Sequence, residues 1–241
     1  MSPRFSVVIP AYNEERLLPR LLDSIDVARR NYGQADAIEV IVADNVSTDR
    51  TAEVAAARGC QVVSTAKRVI AAVRNAGARA ARGELLAFVD ADTQMHPRTF
   101  TEIDKALANG RVVGGATGAT LERWSLGISL VYLILVPIAL ITGMDTGVVF
   151  VRRKDFEELG GYDESRLVAE DVAFLLALKR LGNTRGQRLK RVTSAKVIVS
   201  MRKFDEFGDW HFFSLMVEVS RLLRKRDITV FADKYWYKPN R

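Results

Sequence analysis

Three groups of acidic and amide side chains stand directly after apolar runs in the first hundred residues. They are Asn13-Glu14, Asp44-Asn45 and Asp90-Ala91-Asp92. Two carboxylates one residue apart at the end of a strand can converge on one divalent cation. Magnesium and manganese prefer such oxygen ligands and complete their shells with substrate phosphates. An ordinary acidic turn is the alternative interpretation of the third group.

The elements around these groups alternate between strand and helix patterns. Apolar runs predict strands at residues 5–9, 38–43, 61–64 and 84–89, and helical spacing predicts helices at about 17–30, 49–58, 68–81 and 97–109. Such alternation predicts a parallel, doubly wound sheet, in which ligands bind outside the carboxyl ends of the strands. We therefore expect the three groups to lie on one rim of the sheet.

The alternation lapses after residue 109, so the second half builds something other than further units of this kind. It contains a predicted strand at 147–152, a helical pattern at 169–182, a basic strand region up to Val199 and a predicted helix at about 208–225. We expect a catalytic domain over residues 1–205, with halves at about 1–115 and 116–205. Residues 206–241 would form a helical, basic tail.

Four ordered blocks resemble the family-2 glycosyltransferases. They are FSVVIPAYNEE, VIVADNVSTDRT, RNAGARAARGELLAFVDADT and GGYDESRLVAEDVAFLLALKRLG, within roughly residues 5–182. The resemblance implies the GT-A fold, an α/β fold with a Rossmann-like, mostly parallel central sheet and flanking helices, here followed by a helical C-terminal extension. It also implies inverting transfer of a sugar from a nucleoside-diphosphate sugar.

The resemblance assigns the donor-binding residues. Pro10, Tyr12 and Glu14 are expected to form the first loop around the nucleoside, and Asp44 is expected to contact the base. Arg74 is expected near the donor, and Asp90, Ala91 and Asp92 would bind the ribose, the metal and the diphosphate. Gln94 stands where dolichol-phosphate mannose synthases have a glutamine that helps to hold the metal. Many relatives have a second acid where this chain has Asn45, so the identity of the base stays open.

The same resemblance assigns the acceptor side. Inversion requires a carboxylate that takes the acceptor proton, and the Glu-Asp block places Asp171 in that role. Glu170 diverges from it by about 100° on a helix and is expected on the acceptor side or as a helix N-terminal acid. Arg202 is a further acceptor-side candidate, and His211 is either a metal ligand or an aromatic packing partner. The Gln-x-x-Arg-Trp signature of processive synthases is absent, which favours a single transfer.

The segment 124–144 carries no charge over 21 residues, enough to span a bilayer core. A span here would separate Asp92 from Asp171 and destroy a shared site. The remaining alternatives are a buried core helix, a wall for a lipid-linked acceptor, a segment lying on the membrane, or a homodimer interface. Basic clusters at 179–203 and 221–241 favour peripheral contact with anionic lipid at the inner face of the cell membrane.

Composition narrows the function classes. The chain has 241 residues, 48% of them hydrophobic and 27% charged, with a net charge of +7 and one cysteine, Cys60, which fits a reducing, cytoplasmic setting. The basic clusters match no nucleic-acid module. One rival is a sugar-phosphate nucleotidylyltransferase, which would need a glycine-rich loop where this chain has PAYNEERL. The other is a non-catalytic module that kept the fold, although Asp90, Asp92 and Asp171 are intact. The sequence leaves the sugar and the acceptor open.

Overall fold

The computed structural model describes residues 2–130, 133, 147–167 and 169–210. The described strands are β1 (Phe5–Ala11), β2 (Ile38–Asp44), β3 (Gln61–Ser64), β4 (Leu85–Phe88), β5 (Thr93–Gln94), β6 (Val112–Ala116), β7 (Ala119–Leu121), β8 (Val149–Arg152), β9 (Arg188–Arg191) and β10 (Val197–Val199). The helices are α1 (Leu18–Tyr32), α2 (Thr51–Ala57), α3 (Ile70–Ala80), α4 (Thr99–Ala108), α5 (Arg153–Glu158), α6 (Glu170–Thr184) and α7 (Arg202–Phe207), with 3₁₀ turns at Ala35–Ala37 and Thr193–Ala195.

Seven strands form the central sheet in the order β3-β2-β1-β4-β8-β6-β9. β1 lies parallel to both β2 and β4, whereas β8 runs antiparallel to its neighbours β4 and β6. Three further strands form a small sheet in the order β5-β10-β7. The predicted strands of the first half are confirmed to within two residues. β6 and β7 were not predicted, and the strand expected at 147–152 begins at Val149.

β1 lies inside the sheet between β2 and β4, and its whole sequence, FSVVIPA, is buried. Successive side chains of a strand point to opposite faces, and both faces are covered by helices. Phe5, Val7 and Ile9 accordingly belong to one core cluster and Val8 to the other. Helix α3 packs so closely on this strand that a Cβ added at Gly77 would lie 2.5 Å from Val8 Cγ1. Helix α3 is therefore packed tightly against the middle of β1.

β9 is the last strand of the large sheet, and among the described residues it pairs on one side only, with β6. Its sequence is RLKR, in which Arg188 and Lys190 are exposed and Leu189 is half-buried. A Cβ added at Gly115 of β6 would lie 1.8 Å from the carbonyl oxygen of Lys190. The pairing between these two strands therefore requires glycine at that position.

Part of the uncharged segment, residues 124–130 and 133, is described, and it becomes helical at residue 126. Ile128 is buried, whereas Trp124, Leu126 and Leu133 are 55%, 72% and 70% exposed. These three side chains do not fit the core-helix alternative. Among the described residues, no helix has both the length and the apolar character that a membrane crossing demands. The rest of the segment, together with His211 and most of the helix expected at 208–225, lies outside the described residues.

Candidate active site

The three predicted groups do lie on one rim of the sheet. β1, β2 and β4 are parallel neighbours, and Ala11 at the end of β1 pairs with Asp44 at the end of β2. Asp90 follows β4 by two residues. The groups at 13–14, 44–45 and 90–92 therefore leave the sheet at the same edge, as the strand pattern predicted.

The first loop is fastened to the loop after β2 by three hydrogen bonds from consecutive backbone N–H groups. Ser47 Oγ accepts from Asn13 at 3.0 Å, Thr51 Oγ1 from Glu14 at 2.7 Å, and Asp49 Oδ2 from Glu15 at 3.1 Å. Asn13 has a φ of 54°, in the left-handed region. These bonds hold the Glu14 backbone in one place on the rim.

Glu14 is only 8% exposed and pairs with Arg202, which lies at the start of α7. The Arg202 Nη2 and Nη1 atoms donate to the two Glu14 carboxylate oxygens at 2.6 and 2.8 Å, and Nε lies 3.4 Å from Asp92 Oδ2. Burial raises the pKa of Glu14 to about 7, against the lowering effect of Arg202. Residues 188 positions apart thus meet at the rim.

Arg74 on α3 is buried and bridges two further carboxylates. Its Nη2 lies 2.8 Å from Asp90 Oδ1, its Nη1 donates to Glu170 Oε1, and its Cζ lies 5.4 Å from the centre of the Tyr162 ring. Burial alone would lower the pKa of Arg74, but the neighbouring negative charges, Asp90 first, outweigh it and raise that pKa overall. Arg74 therefore links the end of β4 to the beginning of α6.

Asp171 lies in the first turn of α6, beside Glu170. Glu170 is 8% exposed, and its burial raises the pKa of its carboxyl despite the Arg74 contact. The Asp171 carboxylate is less buried, and its Oδ1 accepts a hydrogen bond from the backbone N–H of Val172 at 2.8 Å. Ala169, which precedes the helix, has φ 58° and ψ 33°. A non-glycine residue in that region is uncommon and typical of constrained functional loops.

The loop after β2 carries two buried side chains with unused acceptors. Asp44 Oδ2 accepts from the Ser47 N–H at 3.1 Å, and Asn45 Nδ2 donates to the carbonyl oxygens of Thr65 and Lys67 at 2.7 and 3.2 Å. The Oδ1 atoms of Asp44 and Asn45 are buried and have no partner within the described part of the chain. Val46 follows with a φ of 58°. A buried acceptor without a donor is costly.

The other predicted residues lie nearby. Pro10 is buried within β1, Tyr12 is half-buried under Arg68, whose Cζ lies 5.7 Å from the ring centre, and Ala91 is buried. Gln94 belongs to β5, where it pairs with Ile198 of β10. The described residues contain no cluster of three or more His, Cys, Asp or Glu side chains placed to hold a metal.

Tyr162 and the left-handed residues were missed by the sequence reasoning. Tyr162 is buried over Arg74, and its signal was the preceding Gly160-Gly161 pair, whose positive φ values mark a tight turn. Val46 and Ala169 gave no signal, because neither residue type favours a left-handed backbone.

The sequence model described as Glycosyl transferase family 2 matches residues 6–131, which include the first loop, Asp44, Arg74 and the acidic triplet. The chain belongs to this family.

Two curated relatives each match about half of the chain. The undecaprenyl-phosphate 4-deoxy-4-formamido-L-arabinose transferase of Pseudomonas paraeruginosa is 39% identical over 123 residues, which cover 46% of this chain and 34% of the relative. The human dolichyl-phosphate beta-glucosyltransferase is 40% identical over 141 residues, covering 51% of this chain and 43% of the relative. The matched region thus spans less than half of either relative.

The fold is GT-A, as the resemblance implied. The solved mannosyltransferase PcManGT from Pyrobaculum calidifontis, in complex with GDP-Man and Mn2+, superimposes with a TM-score of 0.65 at 22% identity. The match covers 83% of this chain and 57% of that protein. The likeness therefore extends beyond the family match into the second half of the chain.

Proposed function

We propose that this chain is an inverting glycosyltransferase that moves one sugar from a nucleoside-diphosphate sugar to a lipid-linked or cell-envelope glycan acceptor. The observation that carries the proposal is the buried bridge through Arg74, which joins Asp90 of the donor rim to Glu170 beside Asp171. Carboxylates suited to metal binding and a carboxylate suited to proton removal thereby belong to one site. A catalyst of transfer needs both groups at the same bond.

The donor nucleoside would lie against the first two loops. The unpartnered Oδ1 atoms of Asp44 and Asn45 are acceptors that N–H groups of a base could satisfy. The face of Tyr12 beside Arg68 would form a further wall of this subsite, with Pro10 and Glu14 supporting the loop. These contacts leave the choice of base to experiment.

A divalent cation, Mn2+ or Mg2+, would be held by Asp90 and Asp92, with Gln94 as a further oxygen ligand. The donor set fits a hard cation, and the Asp90 side chain is 55% exposed. When bound, the metal would neutralise charge on the departing diphosphate. Arg202 already contacts Asp92, so its guanidinium and the metal would share that carboxylate. His211 stays a prediction outside the described residues.

The Asp171 carboxylate would remove the proton from an acceptor hydroxyl during attack on the anomeric carbon. Its partial exposure leaves it accessible, whereas the neighbouring Glu170 carboxylate is occupied by Arg74. If the acceptor is a phosphate, its oxygen is already ionised, and the base matters less. The cost of Asp171→Asn therefore distinguishes the two acceptor chemistries.

Lipid contact is supported by an exposed apolar surface made of Trp124, Leu126, Leu133 and Trp210. Arg123 ties its two parts together, since Nη2 lies 2.7 Å from Asp209 Oδ1, and a Cβ at Gly127 would lie 2.6 Å from the Asp209 carbonyl oxygen. The names of both curated relatives contain a polyprenyl phosphate. We place the enzyme peripherally at the inner face of the membrane, with the basic C-terminal regions attracted to anionic lipid.

Vesicle flotation tests this placement. We expect binding to vesicles with anionic lipid, weaker binding to neutral ones, and loss of binding in Leu126→Glu. Ala56→Glu, which adds the same charge at an exposed position of α2, should bind as the wild type does. Equal flotation of both variants would contradict the lipid proposal. A concentration-dependent dimer that Leu126→Glu disrupts would instead assign the surface to a second copy.

A thermal-shift titration tests the function itself. UDP and GDP are titrated with and without Mn2+, because a ligand that binds the native state raises its apparent stability. We expect a metal-dependent shift that Asp92→Ala abolishes and that Asp36→Asn, an exposed position on the opposite edge of the sheet, leaves intact. Asp171→Asn should keep nucleotide binding and lose transfer to a hydroxyl acceptor. If the wild type binds neither nucleotide, the non-catalytic module is favoured. If it instead binds a nucleoside triphosphate together with a sugar phosphate, the nucleotidylyltransferase is favoured.

A further inference from the structure

We infer that Arg74 is a positioning residue whose buried guanidinium fixes the start of α6, and with it Asp171, relative to Asp90. This inference deepens the proposed function, on which it rests. It differs from the role that the resemblance implied, in which Arg74 contacts the donor directly. The distinction matters because a donor contact contributes to binding, whereas a positioning contact contributes to turnover.

Both terminal nitrogens of the Arg74 guanidinium are bound by carboxylates of the protein. Nη2 is bound by Asp90 and Nη1 by Glu170, and the Tyr162 ring covers one face. Nε is buried and has no partner among the described residues. The whole Arg74 side chain is only 9% exposed. A diphosphate could reach this cation only by displacing one of the two carboxylates that hold it.

Asn75, the next residue along α3, holds the turn at residues 161–164, which precedes α6, through separate hydrogen bonds. Asn75 Nδ2 donates to the Tyr162 carbonyl oxygen at 2.8 Å, and the Tyr162 N–H donates to Asn75 Oδ1 at 2.9 Å. Asn75 Nδ2 also lies 2.9 Å from Glu164 Oε1, and Glu164 accepts from Lys67 Nζ at 2.7 Å. A Cβ at Gly161 would lie 2.7 Å from Asn75 Oδ1. The turn before α6 is thus tied to α3.

Helix α3 is a suitable anchor because it packs on the central strands with little free space. Gly77 lies against Val8 of β1 and, at 3.3 Å from its added Cβ, against Ala43 of β2. The start of α6, in contrast, follows Ala169 in a strained left-handed conformation, which persists only where surrounding contacts enforce it. Arg74 supplies such a contact at the residue between Ala169 and Asp171.

Charge balance explains why an arginine is needed. Glu170 is nearly buried and adjoins Asp171, so two negative groups lie at one helix end, with Asp90 across the gap. A planar guanidinium can bind two carboxylates at once, which a lysine ammonium on a flexible stem does less well. Removing the cation alone leaves Glu170 buried without a partner, whereas removing both charges avoids that penalty.

The experiment compares Arg74→Met, Glu170→Gln and the double variant in the full chain. Nucleotide affinity is measured by titration with UDP and GDP plus Mn2+. Turnover is measured as nucleoside diphosphate released from UDP-GlcNAc or GDP-Man, once with undecaprenol as a hydroxyl acceptor and once with undecaprenyl phosphate. Hydrogen exchange of residues 160–171 is followed in the ligand-free protein. Arg30→Met is the control, because it makes the same replacement at an exposed arginine of another helix, α1.

We expect Arg74→Met to lower kcat for transfer to the hydroxyl acceptor by about 100-fold, while nucleotide affinity stays within roughly threefold of wild type. Hydrogen exchange should rise in residues 160–171, and the double variant should regain about tenfold in kcat over Arg74→Met. A fall in nucleotide affinity of about tenfold or more with kcat preserved, or a double variant no better than the single one, would overturn the inference. If the wild type binds neither nucleotide, the proposed function fails, and the exchange comparison still decides the positioning role.

Discussion

Replacing Arg202 by methionine removes the partner of Glu14, and we expect the resulting loss of stability to grow as the pH rises. In the wild type, the Glu14 pKa of about 7 lies above the usual value of 4.5. A raised pKa in the folded state means that the carboxyl favours folding most below pH 4.5, and that this contribution is lost as the pH rises through 7. Without Arg202, the pKa of Glu14 rises further, so the loss continues above pH 7.

The size of the effect follows from the pKa. The ionised, paired state of Glu14 stabilises the wild type over a protonated carboxyl by less than about 1 kcal/mol at pH 7 and by about 3 kcal/mol at pH 9. The lost contact between Arg202 and Asp92 lowers the free energy of unfolding by the same amount at each of these pH values. One kcal/mol corresponds to about 2–4 °C in Tm for a chain of this length, so the extra loss at pH 9 is roughly 5–10 °C.

Thermal or urea unfolding of the metal-free protein at pH 6, 7, 8 and 9 measures this difference. Glu14→Gln provides the reference background, in which adding Arg202→Met should cost the same at every pH because the titrating group is gone. If Arg202→Met costs the same at pH 6 and pH 9 in the wild-type background, the ion pair does not govern the charge state of Glu14. The reasoning would then be refuted.

Three other substitutions or probes test the packing of the first half. Gly77→Ala should cost about 1–3 kcal/mol of unfolding free energy, because its Cβ would lie 2.5 Å from Val8 Cγ1, and urea unfolding measures this. Asn75→Ala should cost about 2–4 kcal/mol by the same measurement, because it leaves the buried N–H and C=O of Tyr162 unpaired. A cost under about 0.5 kcal/mol would contradict that role of Asn75. Burial raises the pKa of Cys60 to about 11. Iodoacetamide should therefore alkylate the native protein slowly at pH 8 and faster as the pH approaches 11. A rate at pH 8 equal to that of a free thiol would contradict this expectation.

The donor half of the fold could be predicted because its signals are local. The apolar run of β1 and the acidic residues that follow each strand lie within a few positions of one another, so the strand pattern alone places them on one rim. The acceptor half gave weaker signals. β6 has the sequence VVGGA, whose glycines weaken a strand pattern, and the reason for Gly115 is the close approach of Lys190, 75 positions away.

The contacts within the site could not be predicted for a similar reason. Arg74 and Glu170 are 96 positions apart, and Arg202 and Glu14 are 188 apart. Spacing along the chain carries no information about such pairs, although the residues themselves were identified. Only the folded arrangement decides which cation neutralises which carboxylate, and therefore which residues support the chemistry and which take part in it.

Among the described residues, the outer edge of β9 pairs with no other strand, and this has a consequence for the behaviour of the purified protein. A strand with unpaired backbone groups is a template on which a second chain can add, and proteins commonly block it with lysine and arginine. Arg188 and Lys190 are exposed on one face of this strand, and mutual repulsion between two such strands opposes their approach. We expect replacement of both by threonine to increase light scattering by the concentrated protein, and unchanged scattering would contradict this role. Within the basic region 179–203, these two charges would then keep the sheets of two copies apart.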